Sequence, residues 1–174
     1  MFFGYANDIA ALILAKDLEK AQLTLNLVMR RIEIWMKKHS LSLALQKTEV
    51  TILTTSQIIT LLPITVGTEV IQTQSSTKYL AINIDTKLNF ADHIRSAANK
   101  ATTATANLCR LMPNINGPKP SKRRLLLSVA QCIMLYGSEI FADELKKGIR
   151  RKPMEDIQSE GAQRIISCYK TVSA

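Results

Sequence analysis

The chain has 174 residues, 47% apolar and 21% charged, with five prolines and six glycines; such a composition supports a buried core and excludes a disordered, collagenous or linker-like chain. Its 23 Lys and Arg against 14 Asp and Glu leave a net charge of +9, divided as +2 over residues 1–88 and +7 over residues 89–174. A polyanion such as nucleic acid would therefore meet its field in the second half, although a basic excess can also cover nothing more than solvated faces.

In chain order, Phe2-Phe3-Gly4-Tyr5 and residues 9–14 flank the polar step Asn7-Asp8. These residue types tolerate turn dihedrals, so a β-hairpin is expected from the first residues. The same opening is not a signal peptide, because no Lys or Arg precedes its apolar run and Asn7-Asp8 interrupts it. Over residues 17–39, Leu18, Ala21, Leu25, Val28, Ile32 and Trp35 fall at steps of three and four, with Glu19, Asn26, Arg30, Glu33 and Lys37 on another face. This predicts an amphipathic helix with Asp17 as its N-cap.

After Ser40 the apolar period becomes two, through Leu41, Leu43 and Leu45 and on to Val50 and Ile52, which predicts strands. Ile64-Thr65-Val66, Gly67-Thr68 and Glu69-Val70-Ile71 read as a small hairpin, and residues 79–84 as one more strand. The second half reads as helical. Phe90, Ile94, Ala97, Ala101, Ala104 and Leu108 recur at helical spacing up to the breaker-rich residues 113–118. A helix over residues 121–136 would bury Leu125, Leu126, Val129, Cys132, Ile133 and Tyr136, and a last helix is expected over residues 153–169. The composition shift near Leu88 is the natural boundary.

Cys109, Cys132 and Cys168 are odd in number and lack a CxxC pair, so buried reduced thiols in an intracellular protein are expected rather than disulfides or zinc. His39 and His93 stand alone and are not metal candidates, no stretch is long and apolar enough to span a membrane, and Trp35 and the methionines are assigned to the core.

Tyr5-Ala6-Asn7-Asp8, the helix ending near Trp35, Leu43-Ala44-Leu45-Gln46-Lys47-Thr48-Glu49, Lys78-Tyr79-Leu80-Ala81-Ile82 with Asp85, Leu111-Met112-Pro113-Asn114, Arg123-Arg124-Leu125-Leu126 and Leu135-Tyr136-Gly137 form an ordered series. In that order they resemble the reverse transcriptases of non-LTR, LINE-type retrotransposons, nearest the Jockey-like branch. Each motif is weak alone; their order over nearly the whole chain is specific. The resemblance implies an α+β fold: a partial polymerase palm of hairpin, helix and strands over residues 1–88, then an all-helical thumb-like region and connection over residues 89–174. It implies RNA-templated DNA synthesis as the parent activity, Mg²⁺ as cofactor, and an RNA template and DNA primer as partners.

In that family the first motif carries two adjacent carboxylates that face divalent ions, which stabilise the attacking 3′-oxygen and the leaving group together. Asp8 matches the second carboxylate, a catalytic and metal-ligand position, whereas Asn7 occupies the first and brings no negative charge. Taken without the family, Asn7-Asp8 is a polar hairpin turn. Lys47 matches a lysine proposed to protonate the pyrophosphate leaving group, and is equally a solvent-facing lysine at a strand edge. Ala81 replaces a usual glycine in the strand pair that holds the primer end, where a methyl group would disturb close backbone approach. The family's fingers and remaining metal carboxylate precede this region, so the expectation is a truncated, decayed piece, inactive alone, with an under-covered sheet.

Two basic runs are the candidate nucleic-acid contacts. Lys119, Lys122, Arg123 and Arg124 gather at a helix N-terminus, where the macrodipole disfavours cations unless a phosphate sits there. Lys146, Lys147, Arg150, Arg151 and Lys152 form the second run, for which a solvated face between helices is the equal alternative. Two other functions stand beside the polymerase fragment: a non-enzymatic RNA- or DNA-binding module, and a relic without a selected role.

Overall fold

A computed structural model describes residues 1–5, 8–55, 63–66 and 69–167. Among the described residues, antiparallel strand pairs and a long helix make up the first of two compact units, Met1–Leu88, and helices make up the second, Asn89–Ala174.

In the first unit, β1 (Phe2–Tyr5) pairs with β2 (Asp8–Ala11), Tyr5 opposite Asp8. Reciprocal 2.9 Å bonds between Met1 and Leu12 close the ribbon's open end. A lone ribbon cannot bury its own side chains, and Phe3, Tyr5 and Ile9 stay exposed. Helix α1 (Leu18–Lys38) starts at Asp17, whose carboxylate accepts the Lys20 N–H at 2.9 Å, and ends with Lys37 and Lys38 in its last turn, both favourable to the helix dipole. Met29 of α1 packs on Ile64 and Val66 of β3 (Pro63–Val66), which pairs with β4 (Glu69–Gln72). The Gln22 amide acts as a substitute strand: its Nε2 donates to the Thr65 carbonyl at 2.6 Å and its Oε1 accepts the Thr65 N–H at 3.2 Å. Both backbone polar groups of Thr65 are thereby satisfied on the side of β3 away from β4.

Three expectations for this unit are corrected. Residues 41–52 form no strand; Leu45–Lys47 is a 3₁₀ turn, and Thr51 makes only an isolated bridge to Gln74. Alternation produces a strand only where a neighbour accepts the backbone groups, and here Leu43, Leu45, Val50 and Ile52 instead pack from an irregular segment against the Met29 cluster. The single strand expected over residues 79–84 is a hairpin of β5 (Ser76–Tyr79) and β6 (Ile82–Asp85), with Leu80 and Ala81 at φ 46° and 66°. Positive φ at both turn residues suits the right-handed strand twist, and glycine would occupy Ala81 with less strain. Trp35 is half-exposed and stacks on His39 with ring centroids 4.3 Å apart, so it is not core. The described strands form separate pairs rather than one sheet.

In the second unit, α2 (Ala91–Cys109) buries His93, Ile94, Ala97, Ala98, Ala101 and Thr105. It packs against α3 (Pro120–Leu135) and α5 (Gly148–Ile165), which also pack on each other. Between them, α4 (Ser138–Phe141) drives Phe141 into the core, edge-on to His93 at 5.1 Å. Arg150 near the start of α5 donates to the Asn89 carbonyl beside the start of α2 at 2.6 Å, and Arg123 near the start of α3 bonds carbonyls of Met112 and Arg164. Hence α2 and α5 run in the same sense and α3 runs back against both.

Here too the sequence reading needs correction. The buried face of α3 is Arg123, Leu127, Ala130 and Met134, whereas Leu125, Val129, Cys132 and Tyr136 are exposed. The helix is apolar on two faces, and its periodicity cannot choose between them. Helix α5 begins five residues before Pro153 and carries that proline in its second turn, where it forgoes one i→i−4 hydrogen bond. Cys132 is exposed and Cys109 half-buried, both free thiols, while Cys168 and Tyr169 lie outside the described residues.

Candidate nucleic-acid interface

The loop between α2 and α3 is built around one guanidinium. Arg123 is 2% exposed, and its Nε donates to the Pro118 carbonyl at 2.8 Å, Nη2 to Pro113 at 2.6 Å, and Nη1 to Arg164 at 3.1 Å and to Met112 at 3.4 Å. Arginine has donors in a rigid planar fork, so one side chain can tie the end of α2, the loop and the end of α5 together. Gly117 makes room for it: a Cβ there would lie 2.0 Å from the Pro113 oxygen and 2.6 Å from Arg123 Nη2. Arg123 is therefore corrected from a phosphate contact to an internal clamp, because its donors are turned inward onto carbonyls.

Its neighbours are placed differently. Lys119 at the N-cap, Lys122 and Arg124 are exposed in and around the first turn of α3, and among the described residues none of them enters an ion pair. The clamp also brings the ends of α2 and α5 to this pole, so the backbones of Arg110 and Arg164 converge on it. Sequence reasoning missed both. Their signal was available, since each lies at a helix C-terminus, where a cation is electrostatically favoured. The result is a cationic end of the helical unit, suited to the backbone of a nucleic acid.

The run 146–152 makes no comparable surface. Lys146 pairs with Asp143 at 2.7 Å, Lys147 with Glu144 at 2.8 Å, Arg151 with Glu155 at 2.7 Å and Lys152 with Asp156 at 3.1 Å. Arg150 pairs closely with Glu144 and also holds the Asn89 carbonyl. The Lys146 hydrogen bond and charge hold the Asp143 carboxyl below its ordinary range, and Asp143 raises the Lys146 ammonium in return. Each cation of this run thus has a local anion.

Of the catalytic candidates, Asp8 opens β2 on the exposed ribbon and Lys47 ends the 3₁₀ turn, also exposed. Asn7 lies outside the described residues. Among the described residues, no three His, Cys, Asp or Glu side chains group where they could hold a metal ion, so Asp8 belongs to no such donor set.

His93 is the one buried histidine, 6% exposed. Burial lowers its pKa from the ordinary 6.5, Lys100 adds to the effect, and a hydrogen bond with the Tyr136 backbone opposes it. Among the described residues, no helix is long and apolar enough to cross a membrane. No protein-family model, curated protein or solved structure matches the chain.

Proposed function

We propose that the chain is the C-terminal palm and thumb region of a non-LTR, LINE-type reverse transcriptase, which grips a primer–template duplex and does not extend it as an isolated piece. The observation that carries the grip is the cationic end of the helical unit, where Lys119, Lys122 and Arg124 are exposed and outside the ion pairs. The family reading rests on the ordered motifs from Tyr5-Ala6-Asn7-Asp8 to Leu135-Tyr136-Gly137. Inactivity rests on Asn7 in place of a carboxylate in the first motif. The exposed Lys119, Lys122 and Arg124 favour a second reading equally, a non-enzymatic RNA- or DNA-binding module.

The test has two stages. The 174-residue protein should bind a primer–template duplex weakly and without sequence preference, with a log–log salt slope of about −0.9 per neutralised B-DNA phosphate. It should extend no primer with Mg²⁺, and Asn7→Asp should not change that. The chain is then grafted after the fingers and upstream palm of a LINE-type element. Template-dependent incorporation by the Asn7→Asp graft, and not by the native graft, supports the polymerase reading. Two inactive grafts with duplex binding retained leave the binding module. Binding indifferent to salt removes both.

A further inference from the structure

Between α2, α3 and α5 lies a half-open cavity of about 110 Å³, walled by Leu127, Ala130 and Met134 of α3 and by Ile157 and Gly161 of α5. From α2 it is lined by Thr105, which is 1% exposed and whose Oγ1 finds no hydrogen-bond partner. A helical threonine commonly gives its hydroxyl to the carbonyl four residues back. Thr102 does so to Ala98 at 2.9 Å and Thr103 to Asn99 at 3.0 Å on the same helix, and Thr105 does not. A buried hydroxyl without a partner is unfavourable, and this one lines an apolar space.

We propose that this cavity is a binding site for a small neutral molecule with an apolar body and one hydrogen-bonding oxygen, of the phenol or short-alcohol class. The oxygen would pair with Thr105 Oγ1 and the body would lie against Leu127, Met134 and Ile157. Neutrality follows from the lining, which contains no ionisable side chain. Size follows from the volume: an apolar cavity of about 150 Å³ accepts benzene, so this one takes a single ring or less, with any larger group projecting past the exposed Gln131 and Gln158. At Gly161 a Cβ would meet the Leu127 methyls at ordinary contact distances of 3.8 and 3.9 Å, so this wall has room for a side chain to enter the space. Nothing in this site depends on the polymerase reading.

The experiment titrates the 174-residue protein with phenol, and with toluene as the near-isostere lacking the oxygen, by ligand-observed NMR. Phenol should saturate with a Kd of about 1 mM and bind about fivefold more tightly than toluene. Thr105→Val, which keeps the shape, should erase that preference, and Thr105→Ser should retain it. Gly161→Leu should fill the cavity and abolish binding of both. Several results would overturn the proposal: no saturable binding, phenol binding no better than toluene, equal binding to Thr105→Val and wild type, or a phenol-soaked crystal showing only water on Thr105 Oγ1.

Discussion

Residues 119–124 and 146–152 are both dense in Lys and Arg, yet their charges meet different surroundings. In the second run every cation has a carboxylate three or four residues away or in an adjoining turn, so it presents a row of short dipoles to solvent. In the first run one arginine is turned inward onto carbonyls, and the other three cations stand in the open without an anion among the described residues. The field of a dipole falls off faster than that of a bare charge, and exposed pairs contribute little to stability. A count of basic residues therefore overstates the second run and misassigns one member of the first.

The largest expected effect is on that buried member. Arg123→Met should destabilise the protein by about 3 kcal/mol, because inward-facing carbonyls lose their donor, and Arg123→Lys should recover little, since an ammonium lacks the planar fork. Urea denaturation followed by helical circular dichroism reads both. Gly117→Ala acts on the same clamp from the loop side and should cost on the order of 2 kcal/mol. Its effect should fall well short of additive with Arg123→Met, as the two share one interaction.

Duplex binding sharpens the comparison directly. Replacing Lys119, Lys122 and Arg124 together with Gln should reduce the salt slope by up to about 2.7, whereas Gln at Lys146, Lys147 and Lys152 should reduce it by less than about 1. Equal reductions would break the distinction between bare and paired cations.

A smaller effect is expected from pH. The folded pKa of His93 lies below the ordinary 6.5, so the unfolded chain binds the proton more readily. Its contribution is fully present above that ordinary value and is lost as pH falls from 6.5 through the lowered folded pKa. Melting temperature should therefore drop on acidification through this window, and His93→Gln should flatten the profile. The smallest effect belongs to the paired run: Asp143→Asn removes an exposed partner of Lys146 and should leave the melting temperature unchanged within error.

What was legible in the sequence was local. The period of three and four over residues 17–39, with Asp17 placed to accept the Lys20 N–H, defines α1, because a cap and an amphipathic stripe act within a few residues. The alternating Ile64-Thr65-Val66 and Glu69-Val70-Ile71 likewise contain the pairing of β3 with β4. Of the candidate site, Lys119, Lys122 and Arg124 could be picked out as a cluster without neighbouring acids. Residues distant in sequence decided the rest. Leu41 to Ile52 alternates as a strand would, but the Met29–Val66 cluster draws in Leu43, Leu45, Val50 and Ile52, and the backbone is paired in the isolated Thr51–Gln74 bridge rather than along a strand. Helix α3 offers two apolar faces, and only the approach of α2 and α5 selects the one carrying Leu127, Ala130 and Met134. The same approach turns Arg123 from a surface cation into a clamp. Helix period, caps and turn preference depend on near neighbours and can be read from the chain; which face is buried, and whether a charge is bare, paired or enclosed, depends on partners that only packing brings within hydrogen-bonding distance.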